Sequence, residues 1–259
     1  MSTLSYAVSD SVTLLRRNLK HALRYPALTM STVGMPVIFL LLFVYVFGNT
    51  LGAGIGSGTS YINYLAPGII LMVATSGAVS TAISVCMDMT EGIVDRFRTM
   101  SISRAALLTG HVLGSVIQGL LSMGVVLGIA VAIGFRPEAN LLQWLGAIGV
   151  LAMLCLALTW LSVAMGLVSK SPENASNLPL PLILLPFLGS GFVPAASMSP
   201  GLRQFAEYQP FTPMTQTLRG LLLGTHIGNE WILAVVWCVV LSALGYLASR
   251  RLLNRLSNR

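Results

Sequence analysis

Charged side chains crowd into one short stretch, "DMTEGIVDRFRTMSISR" at 88–104. It holds Asp88, Glu91 and Asp95, out of only eight acidic residues in the 259-residue chain, beside Arg96, Arg98 and Arg104. A helix turning about 100° per residue puts the three carboxylates on one face. Ile93, Val94, Phe97 and Met100 then fall on the other face, with Arg96 and Arg98 on the flanks. The apolar side can rest on a membrane or on neighbouring helices. The acidic side repels an anionic lipid leaflet, which suits it to a protein partner. A solvated loop with local ion pairs, each worth about 0.2–0.5 kcal/mol, is the other reading. Spacing alone leaves both open.

Few other residues have the types and spacing for catalysis. His21, His111 and His226 are scattered, and neither H-E-x-x-H nor G-x-S-x-G occurs. No G-x-x-x-x-G-K-[ST] loop is present; the nearest text, "GLVSKS" at 166–171, has Ser169 where the second glycine belongs. ATP chemistry, if used, therefore belongs to another subunit. No carboxylate falls inside an apolar run, which disfavours both a proton relay and an intramembrane enzyme. Cys86, Cys155 and Cys238 are an odd, unclustered set and read as small core hydrophobes rather than a metal site.

Polar groups of another kind lie within the apolar runs. Ser76, Ser80 and Ser84 recur every four residues beside Thr75, Gly77 and Thr81. Gly110-x-x-x-Gly114 and Ser115-x-x-x-Gly119 follow, with Gln118 and Ser122 nearby. Small residues at this spacing let helices approach closely, and hydroxyls bond across the contact. Helix packing is the first reading and a substrate-lining role the second. Gln118, a strongly polar side chain near mid-run, should face the bundle interior.

The elements that must position these groups follow from composition. The chain is 55% hydrophobic and 9% charged, with a mean hydropathy of +0.81, whereas soluble domains carry about 25% charged residues. Runs of roughly 20 apolar residues each span a bilayer as a helix, so the expected class is an all-α polytopic membrane protein. Six spans are expected: Pro26–Gly48, Tyr64–Met87, Ala105–Phe135, Leu142–Val168, Asn177–Val193 and Trp231–Ser249. The fifth is the least regular, because it contains Pro179, Pro181 and Pro186, with Pro194 just beyond it. Nothing at the N-terminus reads as a cleavable signal.

Lys and Arg orient the spans. With the N-terminus inside, twelve fall on the cytoplasmic side and three (Arg136, Arg203, Arg219) outside. The net charge of +7 is then topological, and nucleic-acid binding is set aside. Residues 1–25 read as a basic amphipathic helix at the inner leaflet, carrying Arg16 and Arg17. Residues 194–230 read as an outer re-entrant or interfacial hairpin of two short helices, the second ended by Gly224. Residues 250–259 form a cytoplasmic tail.

Three stretches carry a family resemblance: "LLRRNLKHALRYPALTMSTVGMPVIFLLLFVYVFG", "EGIVDRFRTMSISRAALLTGHVL" and "GFVPAASMSPGLRQFAEYQPFTPMTQTLRGLLLG". With the order of spans they cover nearly the whole chain, which resembles the membrane subunits of type 2 ABC exporters, closest to the daunorubicin/doxorubicin-resistance permeases. The resemblance implies a permease in a bacterial cytoplasmic membrane, paired with a second permease expected to be its own copy. Two ATP-binding subunits would carry the ATP and Mg, and this chain no cofactor. It implies that Glu91, Gly92, Asp95, Arg96, Phe97 and Arg98 form the coupling helix that enters the ATPase, flanked by Arg16 and Arg17. It implies a cargo such as an amphipathic drug, antibiotic or lipid, with Ser76, Ser80, Ser84, Gln118, Phe187 and Phe192 as pathway candidates. Related permeases export polysaccharide or glycolipid, which is the alternative, and a membrane scaffold without a pathway is a third. Ser101 stands where the family usually has proline.

Overall fold

The computed structural model describes residues 26–52, 60–90 and 104–257, with side-chain surroundings at 32–52, 60–90 and 112–253. Among these residues every regular element is helical. Helix α1 (Pro26–Leu41) passes through a π-helical turn at Leu42–Val46 into the short α2 (Gly48–Gly52). Then come α3 (Tyr61–Thr90), α4 (Arg104–Ala132) and α5 (Leu141–Val168). The short α6 (Pro172–Asn177) and α7 (Leu180–Leu184) precede α8 (Pro200–Tyr208), α9 (Phe211–Leu223) and α10 (Glu230–Ser257).

Four helices are long and apolar enough to cross a membrane: α3, α4 over Val112–Ala132, α5, and α10 over Glu230–Leu253. Thr32–Val46 adds a shorter apolar helix. The chain is thus a multi-pass helical membrane protein. The fifth expected span departs from a single rod. Between Asn177 and Val193 the chain forms the last residue of α6, the single turn of α7 and a run of tight turns. Pro179, Pro181 and Pro186 withhold the amide donors that a continuous helix would need there. Helix α10 runs on to Ser257, beyond the expected end at Ser249. The amphipathic helix expected over 1–25 and positions 91–103 of the charged stretch lie outside the described residues.

Helix α3 is the centre of the bundle. Of its apolar window 67% is buried, against 22% for α10, and α1, α4, α5, α6, α7 and α9 all pack on it. Two glycines explain how closely the long helices meet. A Cβ on Gly166 of α5 would lie 2.6 Å from the Ala82 carbonyl oxygen of α3, and one on Gly245 of α10 would lie 2.6 Å from the Leu161 amide of α5. Hydroxyls add bonds at the same seams. Thr81 donates to Ser115 Oγ at 3.1 Å, and Ser249 donates to the Trp160 carbonyl at 3.3 Å.

Short connections fix one end of the bundle. Asn140 caps α5, its side chain accepting from the Gln143 amide at 2.9 Å while Gln143 Oε1 accepts from the Asn140 amide at 2.8 Å. In the α4–α5 turn, the Glu138 amide donates to the Leu222 carbonyl at 2.9 Å. The Arg136 amide donates to Asn63 Oδ1 at 3.2 Å. Gly224, at φ +65°, closes α9 in the left-handed conformation that only glycine adopts cheaply. The start of α3, the α4–α5 turn and α9 are thereby tied together at what is called below the Tyr61 end. Thr90, Arg104 and Val168 mark the opposite Thr90 end.

Replacing Gly245 with leucine should force α10 away from α5 and cost about 1–3 kcal/mol. An earlier unfolding midpoint in mixed detergent–SDS micelles would register this; an unchanged midpoint would contradict so close a contact.

Candidate functional site

Although α3 is the most enclosed of the long apolar helices, its Thr90 half carries a partly uncovered stripe. Ser76 and Ser80 are half-buried, and Ser84 and Met87 are exposed. On the reverse face Thr75, Ala78, Thr81, Ala82 and Val85 are buried against other helices. A Cβ on Gly77 would meet nothing within 4 Å. The Ser76 hydroxyl turns back to the Met72 carbonyl at 3.2 Å, so it serves its own helix rather than a neighbour. Across the seam, half-buried Gln118 lies one turn along α4 from the Thr81–Ser115 bond and has no hydrogen bond among the described residues. Hydroxyls and a glycine therefore line a flank of α3 that the described chain covers only in part, while Gln118 stands on α4 at the adjoining seam.

An aromatic cluster occupies the Tyr61 half. Phe39, Phe43 and Phe47 stand four residues apart on α1 and its π-helical extension, with ring centroids 6.3 and 5.6 Å apart. Phe187 and Phe192 stack on each other at 4.7 Å with planes 13° apart. The two sets join through Phe39–Phe187 at 5.2 Å and Phe43–Phe192 at 5.0 Å. Offset and edge contacts of this kind each contribute about 0.5–1.5 kcal/mol beyond burial.

The broken segment that carries Phe187 and Phe192 leaves backbone carbonyls without helical partners, and side chains from other elements serve them. Tyr64 donates to the Ser190 carbonyl at 2.8 Å and Tyr61 to the Phe192 carbonyl at 3.4 Å. Gln209 donates to the Leu185 carbonyl at 3.2 Å. Arg219 Nη2 donates to both the Ser190 and Tyr64 carbonyls at 3.0 Å, and Nε to the Tyr64 carbonyl at 3.2 Å. The guanidinium carbon stands 3.8 Å over the Tyr64 ring. Backbone meets backbone beside them, since a Cβ on Gly68 would come within 2.7 Å of the Gly191 carbonyl oxygen.

Of the residues named from sequence, Glu91, Gly92, Asp95, Arg96, Phe97, Arg98, Arg16 and Arg17 lie outside the described residues. Ser76, Ser80 and Ser84 share one flank of α3, Gln118 lies on α4 a turn from the Thr81–Ser115 bond, and Phe187 and Phe192 form a separate group near the other end. Sequence reasoning missed Phe39, Phe43 and Phe47, whose spacing of four was available as a signal, and the roles of Gln209 and Arg219, for which no local pattern exists. Beside the Thr90 end, exposed Glu173 has its carboxyl held below the usual range by the Ser171 hydroxyl and then by its own backbone amide. Among the described residues no group of three or more His, Cys, Asp or Glu side chains could hold a metal.

Comparison with known proteins places these features in context. The ABC-2 type transporter family profile matches residues 10–223. The chain is 30% identical to a daunorubicin resistance ABC transporter permease of Streptomyces coeruleorubidus over 235 residues, covering 90% of this chain and 81% of that protein. It is 26% identical to a probable doxorubicin resistance ABC transporter permease of Mycobacterium tuberculosis, covering 84% and 80%. An inner membrane transport permease of Escherichia coli is 24% identical over 78% of this chain and 80% of its own length.

Removing the Phe192 ring should leave Phe43 and Phe187 facing a cavity and cost about 3–5 kcal/mol. The Phe192→Ala protein in nanodiscs should unfold at a clearly lower temperature than the parent, with Phe192→Leu between them. Equal melting of all three would remove the cluster from any structural role.

Proposed function

The chain belongs to the ABC-2 type transporter family, and from that premise we propose that it is the permease subunit of an ATP-driven exporter for an amphipathic drug, antibiotic or lipid. ATP and Mg belong to a separate ATP-binding subunit, present in two copies, and the permease pairs with a second copy of itself. Six spans, counting the short apolar helix and the broken fifth segment, put both termini in the cytoplasm. The Tyr61 end then faces outward and the Thr90 end, with its twelve Lys and Arg residues, faces inward. The setting is a bacterial cytoplasmic membrane.

The observation that carries this reading is the partly uncovered polar stripe on α3, the most enclosed of the long helices. Hydroxyl and amide groups at membrane depth are poor neighbours for lipid tails and face protein or a water-accessible path. Two permeases that bring their α3 flanks together would cover the stripes and leave a pathway lined by Ser76, Ser80, Ser84 and Gln118. Near its outer end the pathway narrows at Phe187 and Phe192. Uncharged walls of small and aromatic side chains take amphipathic molecules without strict hydrogen-bond geometry. Drug-resistance roles of the Streptomyces and Mycobacterium relatives support the same cargo class.

At the inner end, Glu91, Gly92, Asp95, Arg96, Phe97 and Arg98 form the coupling helix, flanked by Arg16 and Arg17. ATP binding shifts the permease between inward- and outward-facing states only through contacts that differ between those states. Charged residues that follow α3, the central helix, in the amino-acid order are well placed to supply them.

Purification of the tagged permease should recover an ATP-binding subunit, and daunorubicin should stimulate ATP hydrolysis by the reconstituted complex. Recovery of the permease alone, with export unchanged in ATP-depleted cells, would sink the exporter reading. Within the complex, Asp95→Lys should lower permease-stimulated hydrolysis by about tenfold or more, because a reversed interfacial charge costs several kcal/mol. Full stimulation by that variant would remove residue 95 from the coupling contact. Ser80→Trp should obstruct the stripe, abolishing export while the ATP-binding subunit still co-purifies; normal export would argue against a pathway there.

A further inference from the structure

Arg219 carries a positive charge into the Tyr61 end, and no carboxylate pairs with it among the described residues. Its partners are two carbonyl groups and the face of one ring. Burying a charge without a counter-charge is expensive, and a neutral amide such as Gln209 caps a carbonyl at lower cost. What the guanidinium adds is a planar fork that can reach carbonyls on two elements while lying flat on an aromatic face. It joins α9, the first turns of α3 and the broken segment through one side chain.

The two arms of this joint are unequal. Toward Tyr64, Arg219 makes two hydrogen bonds and the ring contact, whereas toward Ser190 it makes one bond of 3.0 Å, to a carbonyl that also accepts from the Tyr64 hydroxyl at 2.8 Å. Ser190 lies between the stacked Phe187 and Phe192 rings in sequence. Its own hydroxyl is 3% exposed as a residue and finds no hydrogen-bond partner. A buried hydroxyl left unsatisfied raises the energy of the closed arrangement and gains a partner when water enters.

We infer that Arg219 is a positioning residue for the outer gate of the pathway: with the Tyr64 hydroxyl it latches the Phe187–Phe192 segment shut through the Ser190 carbonyl, and the gate opens when that carbonyl leaves both donors while Arg219 stays seated on Tyr64. Opening moves the aromatic pair, wets Ser190 and leaves α9 and α3 joined. This role rests on the exporter reading, which makes the Tyr61 end the outer one.

A thiol placed behind the latch tests it without ATP, cargo or a partner. Ser190→Cys in the full chain, held in nanodiscs, is labelled with a water-soluble maleimide and read by peptide mass spectrometry. The native buried Cys86, Cys155 and Cys238 serve as internal references. Adding Arg219→Gln should speed labelling at position 190 by about tenfold, the factor carried by a lost charge-assisted hydrogen bond. Arg219→Lys should fall between, and the native cysteines should keep their rates. An unchanged rate at position 190 would overturn the latch. So would a matching rise at Cys86 and Cys155, which marks general loosening rather than a local gate. If labelling responds as expected but no ATP-binding subunit co-purifies and export is unchanged in ATP-depleted cells, the exporter reading fails and the joint itself stands. If the ATP-binding subunit is recovered and export needs ATP but labelling does not respond, only the latch fails.

Discussion

Water is absent from the interior of a bilayer, so a carbonyl released there by a break in a helix must find its partner within the protein. The segment from Pro179 to Pro194 imposes this demand on the rest of the molecule. Its prolines rule out a continuous helix, and the turns that replace one leave the Leu185, Ser190 and Phe192 carbonyls to be served from elsewhere. Two tyrosines on the first turns of α3 and two side chains from the α8–α9 region supply the donors. The position of α9 follows from that accounting, because Gln209 and Arg219 reach the released carbonyls only if α9 lies against α3 and the broken segment.

Close packing around α3 is the second dependency. Lipid tails are as apolar as leucine, so long helices associate through shape and a few hydrogen bonds rather than by escape from water. Gly166, Gly245 and the Gly68–Gly191 contact bring backbones together where any larger side chain would hold them apart. With α3 enclosed on most sides, the Ser76–Ser84 stripe stands out by contrast. On a peripheral helix such a stripe would be one polar flank among several, whereas on the central helix it is the flank left open.

Much of the architecture was legible in the amino-acid order. Four of the expected spans coincide, within a few residues, with long apolar helices, because a 20-residue apolar run has no other low-energy arrangement in lipid. Local punctuation was legible too: Gly224 ends α9, and the prolines disrupt the fifth segment. The candidate site was legible only in part. Ser76, Ser80 and Ser84 announce themselves by period, but period does not say which flank of a central helix its neighbours leave bare. Phe187 and Phe192 were visible as aromatics near a break, while their stacking with Phe39 and Phe43 joins positions nearly 150 residues apart. Arg219 read as one of three outer cations in a topological count, and its carbonyl partners lie 29 and 155 residues away.

Sequence alone determined that this chain lives in a membrane, that it is helical, that it lacks the loop for binding nucleotide phosphate, and that three of its eight acidic residues gather in one segment between two apolar runs. Those properties are set by local composition and spacing, which act residue by residue. Tertiary structure decided which helix lies at the centre, which flank of it stays open, and that one arginine closes three elements together. Such features depend on contacts between distant segments, and those contacts exist only once the backbone's hydrogen bonds have been settled through the whole fold.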